Sequence, residues 1–146
     1  MSQGQARLIP GDEFTTSAID ITEEMRADLV RIGGYTHPLF SRPGTVSLPA
    51  GSPVPGQGVL LLMGGLVEQS GRLDDAVVLM GLADVTFRRP AVPGSRVAVR
   101  VEVIAETPHR SKNCVRTMHW TAVDGATVLV TATAAMLVRP QPASAS

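Results

Sequence analysis

"QGVLLLMGGLVEQS", Gln57 to Ser70, is the stretch around which the rest of the chain has to be arranged. It is apolar on almost every side until Glu68, the pattern of a helix enclosed by other structure rather than one lying on a surface. Gly64 and Gly65 each weaken such a helix by about 1 kcal/mol relative to Ala, so their expected use is to let a neighbouring backbone approach closely. The apolar run from Val59 to Val67 is about half of the roughly 20 residues that a membrane-spanning helix needs, which makes it a core helix and no membrane anchor.

After Asp74 and Asp75 the helical period gives way to a strand period that lasts until Pro140. Val97, Val99, Val101 and Val103 alternate with Ala98, Arg100, Glu102 and Ile104, as in an antiparallel strand with one wet face. Val123-Asp124-Gly125-Ala126 carries an Asp-Gly dipeptide, which predicts a two-residue hairpin joining Asn113–Val123 to Thr127–Val138. About four long strands follow the helix.

Before the helix, Ser41 to Gly56 holds four prolines and three glycines. That is too many for a regular element, and a loop of this length has a functional use such as a lid. Further back, Glu13 to Ile19 alternates as a first strand. Asp20 with Glu23 resembles a capping box opening a helix, and Ile21, Met25, Leu29 and Ile32 would share one of its faces. Gly33 or Gly34 would end it. The order of elements is that of an α+β layer structure in one domain over 1–146, with an ordered core from about 12 to 139.

With 13 basic and 13 acidic side chains the formal charge is zero, so no overall field attracts nucleic acid or an anionic membrane. The single Cys114 cannot form an intramolecular disulfide, and no Cys/His spacing suits a metal. No cofactor or metal is expected. The opening "MSQGQARLIPGDEF" lacks a signal-peptide pattern, which points to the cytoplasm. There is no phosphate-loop glycine pattern, because "GLVEQSG" lacks the Lys-Ser/Thr such a loop needs.

Three segments in order, "IGGYTHPLF" (Ile32–Phe40), "PVPGQGVLLLMGGL" (Pro53–Leu66) and "VTFRRPAVPGSRVAV" (Val85–Val99), resemble the MaoC-like branch of the hotdog fold, which contains (R)-specific enoyl-CoA hydratases and hydroxyacyl dehydratases. The resemblance spans roughly residues 12 to 139. It implies a long central helix wrapped by an antiparallel sheet, and a thioester site at a dimer interface where a substrate carbonyl meets the start of that helix. A helix start presents unpaired N–H groups and a positive dipole end, suited to a developing oxyanion. Gly58 is the candidate donor; a flexible helix entry is the other reading of that glycine.

The catalytic loop of the family reads Gly-Asp-x-Asn-Pro-x-His. Laid on this chain, Gly34 and Pro38 match, Tyr35 replaces the aspartate, His37 the asparagine and Phe40 the histidine. Gln57 stands where relatives often carry another histidine. Both usual acid/base groups are therefore replaced. His37 becomes the candidate proton carrier, since an unperturbed imidazole titrates near pH ~6.5, and Tyr35 a candidate hydrogen-bond donor. A histidine in a His-Pro turn also caps local backbone groups, and that alternative stands beside the catalytic one. Gln57 and Phe40 are expected to contact substrate. Arg88 and Arg89 suit the phosphates of a pantetheine-bearing ligand or are a solvated strand end.

Three functions remain open. The first is a homodimeric dehydratase or hydratase acting on an enoyl or 3-hydroxyacyl thioester of coenzyme A or acyl carrier protein, or a related cyclisation. The second is a catalytically silent subunit paired with an active relative. The third is a thioesterase using Glu68 or Asp84. His109 and His119 lack a partner at metal-ligand spacing.

Overall fold

The computed structural model describes residues 6–40 and 52–141. Most of the long loop expected before the central helix lies outside the described residues. Six strands and two helices follow one another as β1 (Glu13–Thr15), β2 (Ile19–Asp20), α1 (Glu23–Gly33), α2 (Gly56–Gln69), β3 (Ala76–Phe87), β4 (Arg96–Pro108), β5 (Cys114–Asp124) and β6 (Thr127–Val138). A single 3₁₀ turn at Pro38–Phe40 lies between the helices.

The sheet is antiparallel, in the order β1-β4-β5-β6-β3, with β2 also on β4. Its inner face is built by strict alternation: Val97, Val99, Val101 and Val103 are all buried, as the alternating pattern requires. Met118, Trp120 and Ala122 from β5 and Val130, Ala134, Met136 and Val138 from β6 extend the same layer. Val59, Met63, Leu66 and Val67 of α2 close against it and complete one core.

Several local expectations are corrected. The first strand is two short ones, and Asp20 sits in β2, with its carboxylate 2.9 Å from Arg96, rather than capping a helix. The N-cap of α1 is Thr22, whose hydroxyl accepts from Met25 N at 3.1 Å. Thr22 stands three residues before Met25, which is the spacing the cap geometry needs. Ile21 is buried ahead of the helix, while Ile32 is 71% exposed, so the four apolar residues do not share one covered face. Gly34, at φ 73°, ends the helix in the left-handed conformation that glycine adopts without strain.

The β5–β6 hairpin is present, but Asp124 pairs with Thr127 and the two turn residues are Gly125 and Ala126. Gly125 has φ 59°, so the turn follows the type II′ pattern, with glycine first, instead of an Asp-Gly turn. The described residues do not cover the central helix all round. Leu61 is 66% exposed, and nothing within 4 Å would meet a Cβ added to Gly64.

Candidate functional site

The start of α2 is anchored to the strand segment that follows β3. Val54 N donates to Ala91 O at 2.8 Å, and both Arg88 N and Arg89 N donate to Leu129 O, at 2.8 and 3.2 Å. Two residues thus oppose one across the ladder, a bulge that turns the chain where β3 ends. Gly56 is required by this arrangement, because a Cβ there would lie 2.7 Å from the ring of Phe87. Between these parts opens a cleft of about 530 Å³, whose walls include Phe87, Arg88, Arg89, Gly56 and Val59.

At the floor of the cleft the helix start is uncapped by any side chain, since the N-cap is Pro55. Gly58 N and Val59 N both donate to Pro55 O, at 2.8 and 3.1 Å. The donor expected at Gly58 is therefore already engaged. Gly58 also faces away from the cleft: a Cβ on it would meet Val54 Cγ1 at 3.3 Å and Leu29 Cδ1 at 3.4 Å, so its missing side chain lets α2 lie against α1. The N–H groups left without a partner among the described residues are those of Gly56 and Gln57, which do line the cleft.

The opposite wall comes from the end of α1. The left-handed turn at Gly34 sends the chain back so that Tyr35 lies over Gly33, where a Cβ would come within 2.5 Å of Tyr35 Cε2. The Tyr35 and Phe40 rings meet at 5.1 Å and 58°. Phe40 is held in turn by its carbonyl, which accepts from Arg26 Nη1 at 3.1 Å. Arg26 is buried and forks onto Glu23, with contacts of 2.9 and 2.6 Å. The hydrogen bond from Arg26, reinforced by its charge, holds the Glu23 carboxyl below the usual carboxylate range despite some desolvation. Tyr35 Oη donates to Gln57 Oε1 at 3.0 Å and joins the two walls.

Tyr35, Phe40 and Gln57 are thus brought together in the cleft, with Arg88 and Arg89. Among the described residues neither arginine side chain forms an ion pair with a carboxylate. His37 is not part of the cleft wall. It is exposed in the turn after α1, and its Nδ1 accepts from Leu39 N at 3.0 Å, the capping geometry of a His-Pro turn. Glu68 is exposed near the end of α2, away from the cleft. Asp84 is exposed on β3 at φ 52°, within the register shift between Ala83 and Thr86, and borders a separate depression with His119. His109 Nδ1 contacts Ser111 Oγ at 2.7 Å in a hairpin tip. No group of His, Cys, Asp or Glu among the described residues is arranged to hold a metal. Gly33, Gly56 and Arg26 position the site without having been expected to; the Pro55-Gly56 pair, one residue ahead of the expected helix start, was the available signal for Gly56.

No family model matches the chain, and no curated protein matches it. Solved structures do. A MaoC-like dehydratase from Rhodospirillum rubrum superposes with a TM-score of 0.78 at 22% identity, over 93% of this chain and 96% of that one. An (R)-hydratase from A. caviae involved in PHA biosynthesis gives 0.72 at 20% identity, over 91% and 98%. The HadBC (3R-hydroxyacyl-ACP dehydratase) complex from Mycobacterium tuberculosis gives 0.73 at 14% identity, over 88% and 96%. The chain therefore has the α+β hotdog fold of the MaoC-like dehydratases and (R)-hydratases. No helix among the described residues is long and apolar enough to cross a membrane.

Proposed function

We propose that the chain binds an acyl thioester, carried by coenzyme A or an acyl carrier protein, in the cleft between Tyr35 and Phe87. The supporting observation is the pairing of an apolar cleft with two kinds of donor: the Gly56 and Gln57 N–H groups at its floor, without a partner among the described residues, and Arg88 and Arg89 in its wall. The helix start suits the thioester carbonyl, whose oxygen gains negative charge when it is polarised. The guanidinium groups suit the phosphates of a pantetheine-bearing carrier.

The reaction class is that of the hydratases and dehydratases sharing the fold, carried out with a rebuilt set of groups. Polarising the carbonyl acidifies the adjacent carbon, and the proton is then moved by His37 swinging in from its turn, with Tyr35 holding water or substrate. A cyclisation of an unsaturated acyl chain needs the same polarised carbonyl. A second reading is favoured by one observation: the described wall of the cleft contains neither a carboxylate nor an imidazole. On that reading the chain is the silent subunit of a heteromeric dehydratase. A thioesterase using Glu68 or Asp84 is disfavoured, because neither side chain borders this cleft.

The test is binding and turnover of crotonyl-CoA by the purified chain. Hydration that disappears in His37→Ala, with crotonyl-CoA binding kept, supports the catalytic reading; binding without hydration supports the silent subunit. Arg88→Ala with Arg89→Ala should weaken binding about tenfold or more and flatten its salt dependence. Unchanged binding in that double variant would remove the carrier-phosphate role.

A further inference from the structure

Tyr35 and Gln57 form the one side-chain hydrogen bond that crosses the cleft among the described residues, and it has a direction. Tyr35 is constrained on three sides. Its ring occupies the space a side chain at Gly33 would take, it stacks at 58° on Phe40, and its hydroxyl reaches Gln57 Oε1 at 3.0 Å. A primary amide has one acceptor end and one donor end. With the oxygen of Gln57 taken by the tyrosine hydroxyl, what remains is Nε2 with its two N–H bonds, on a residue that lines the cleft and belongs to the first turn of α2.

We propose that Tyr35 fixes the Gln57 amide with its NH2 as an obligatory donor to the acyl carbonyl oxygen of the ligand. Gln57 is then the residue by which the cleft distinguishes a thioester from a ligand lacking that oxygen, and Tyr35 is a positioning residue acting through it. This rests on the thioester reading of the cleft and adds to it the group that reads the carbonyl. The chemistry follows from residue type. A primary amide is not an acid or base in this setting, and the Tyr35 hydroxyl is committed to its oxygen, so the pair orients and polarises the carbonyl.

The test compares butyryl-CoA with S-butyl-CoA, the thioether of the same length with a methylene in place of the carbonyl. Neither ligand can be hydrated, so binding is read alone by calorimetry. Wild type should prefer the thioester by about fivefold, the net worth of a hydrogen bond to the ligand carbonyl. Gln57→Glu keeps an acceptor for Tyr35 and both backbone N–H groups of the helix start but has no NH2, and should lower the preference to about half the wild-type value or less while S-butyl-CoA still binds. Tyr35→Phe keeps the ring over Gly33 and on Phe40, removes only the orienting hydroxyl, and should leave an intermediate preference. A second readout separates polarisation from packing. The carbonyl stretch of bound 13C-labelled butyryl-CoA should move to lower frequency in wild type, and this downshift should be smaller in Gln57→Glu, where only the backbone N–H groups remain.

If wild type binds neither ligand, the thioester reading itself fails, and this inference with it. If it binds both equally, or if Gln57→Glu retains the preference and the downshift, the cleft remains a thioester site but Gln57 is not its carbonyl donor.

Discussion

Arg116 shows how much one side chain can hold in place. It is fully buried, yet its guanidinium forks onto Asp75 at 3.0 and 2.6 Å and reaches Leu8 O at 3.3 Å. Arg7 completes the cluster, 2.9 Å from Glu106 and 3.2 Å from Asp75. The residue before β1, the turn into β3, and strands β4 and β5 are thus tied at one end of the molecule, opposite the cleft. A buried charge in such a network is costly to strand. Asp75→Ala should lower unfolding free energy by about 2–4 kcal/mol in a denaturant titration, because Arg116 would keep only the longer 3.7 Å carboxylate contact, with Glu106. Arg116→Met, which removes the charge and keeps an apolar stem, should cost less; an equal loss for both would mean that packing and not charge is what matters there. At the same scale, the Nδ1 of His37 caps Leu39 N, so proton transfer through that nitrogen requires the bond to open.

Helix α1 contributes to the site through its first turn as much as through its last. Thr22 caps it, Glu23 pairs with Arg26, and Arg26 in turn holds Phe40 O. The sign of the resulting pH dependence follows from the direction of the shift. The Glu23 carboxyl lies below its usual range when folded, so the folded state prefers the carboxylate. Its contribution is fully present above the unfolded value of about 4.3 and is lost as pH falls through the lower folded value. Glu23→Gln should therefore flatten the acid limb of a melting-temperature profile below about pH 4.3 and change little of its shape at neutral pH. An acid limb identical to that of wild type would show that other carboxylates govern it. Because Arg26 also carries Phe40, the same variant is expected to loosen the Tyr35 wall before it unfolds the domain.

In the molecule as a whole, β3 is the conspicuous unsatisfied element. Among the described residues it pairs only with β6, and Val77, Val78, Leu79 and Met80 along it are exposed, as is Leu61 of α2. A long apolar edge strand is a template for further pairing. We propose that a second chain pairs with this edge, either the same edge of a copy or an active relative in the silent-subunit case. Leu79→Lys should convert a dimer to monomer in light scattering coupled to gel filtration while leaving the secondary structure unchanged. A dimer unaffected by that charge would place the interface elsewhere.

The sequence alone determined whatever depends on neighbours along the chain. The alternating valines of β4, the change from helical to strand period after Asp75, the β5–β6 hairpin and the glycine stop of α1 were all legible, because periodicity and turn chemistry act over a few residues. Where local signals competed they misled: Asp20 resembled a cap, but pairing of β2 with β4 overrode it, and Ile32 matched a helical face that no neighbour covers. Only the tertiary structure decided which N–H groups at the start of α2 lack a partner among the described residues, that Gly58 serves the α1–α2 contact, that His37 caps Leu39 N, and that Tyr35 meets Gln57. Those outcomes depend on where the carbonyl of Pro55, the side chain of Leu29 and the rings of Phe40 and Phe87 come to lie. Such positions follow from the packing of two helices on a sheet, which no local pattern encodes.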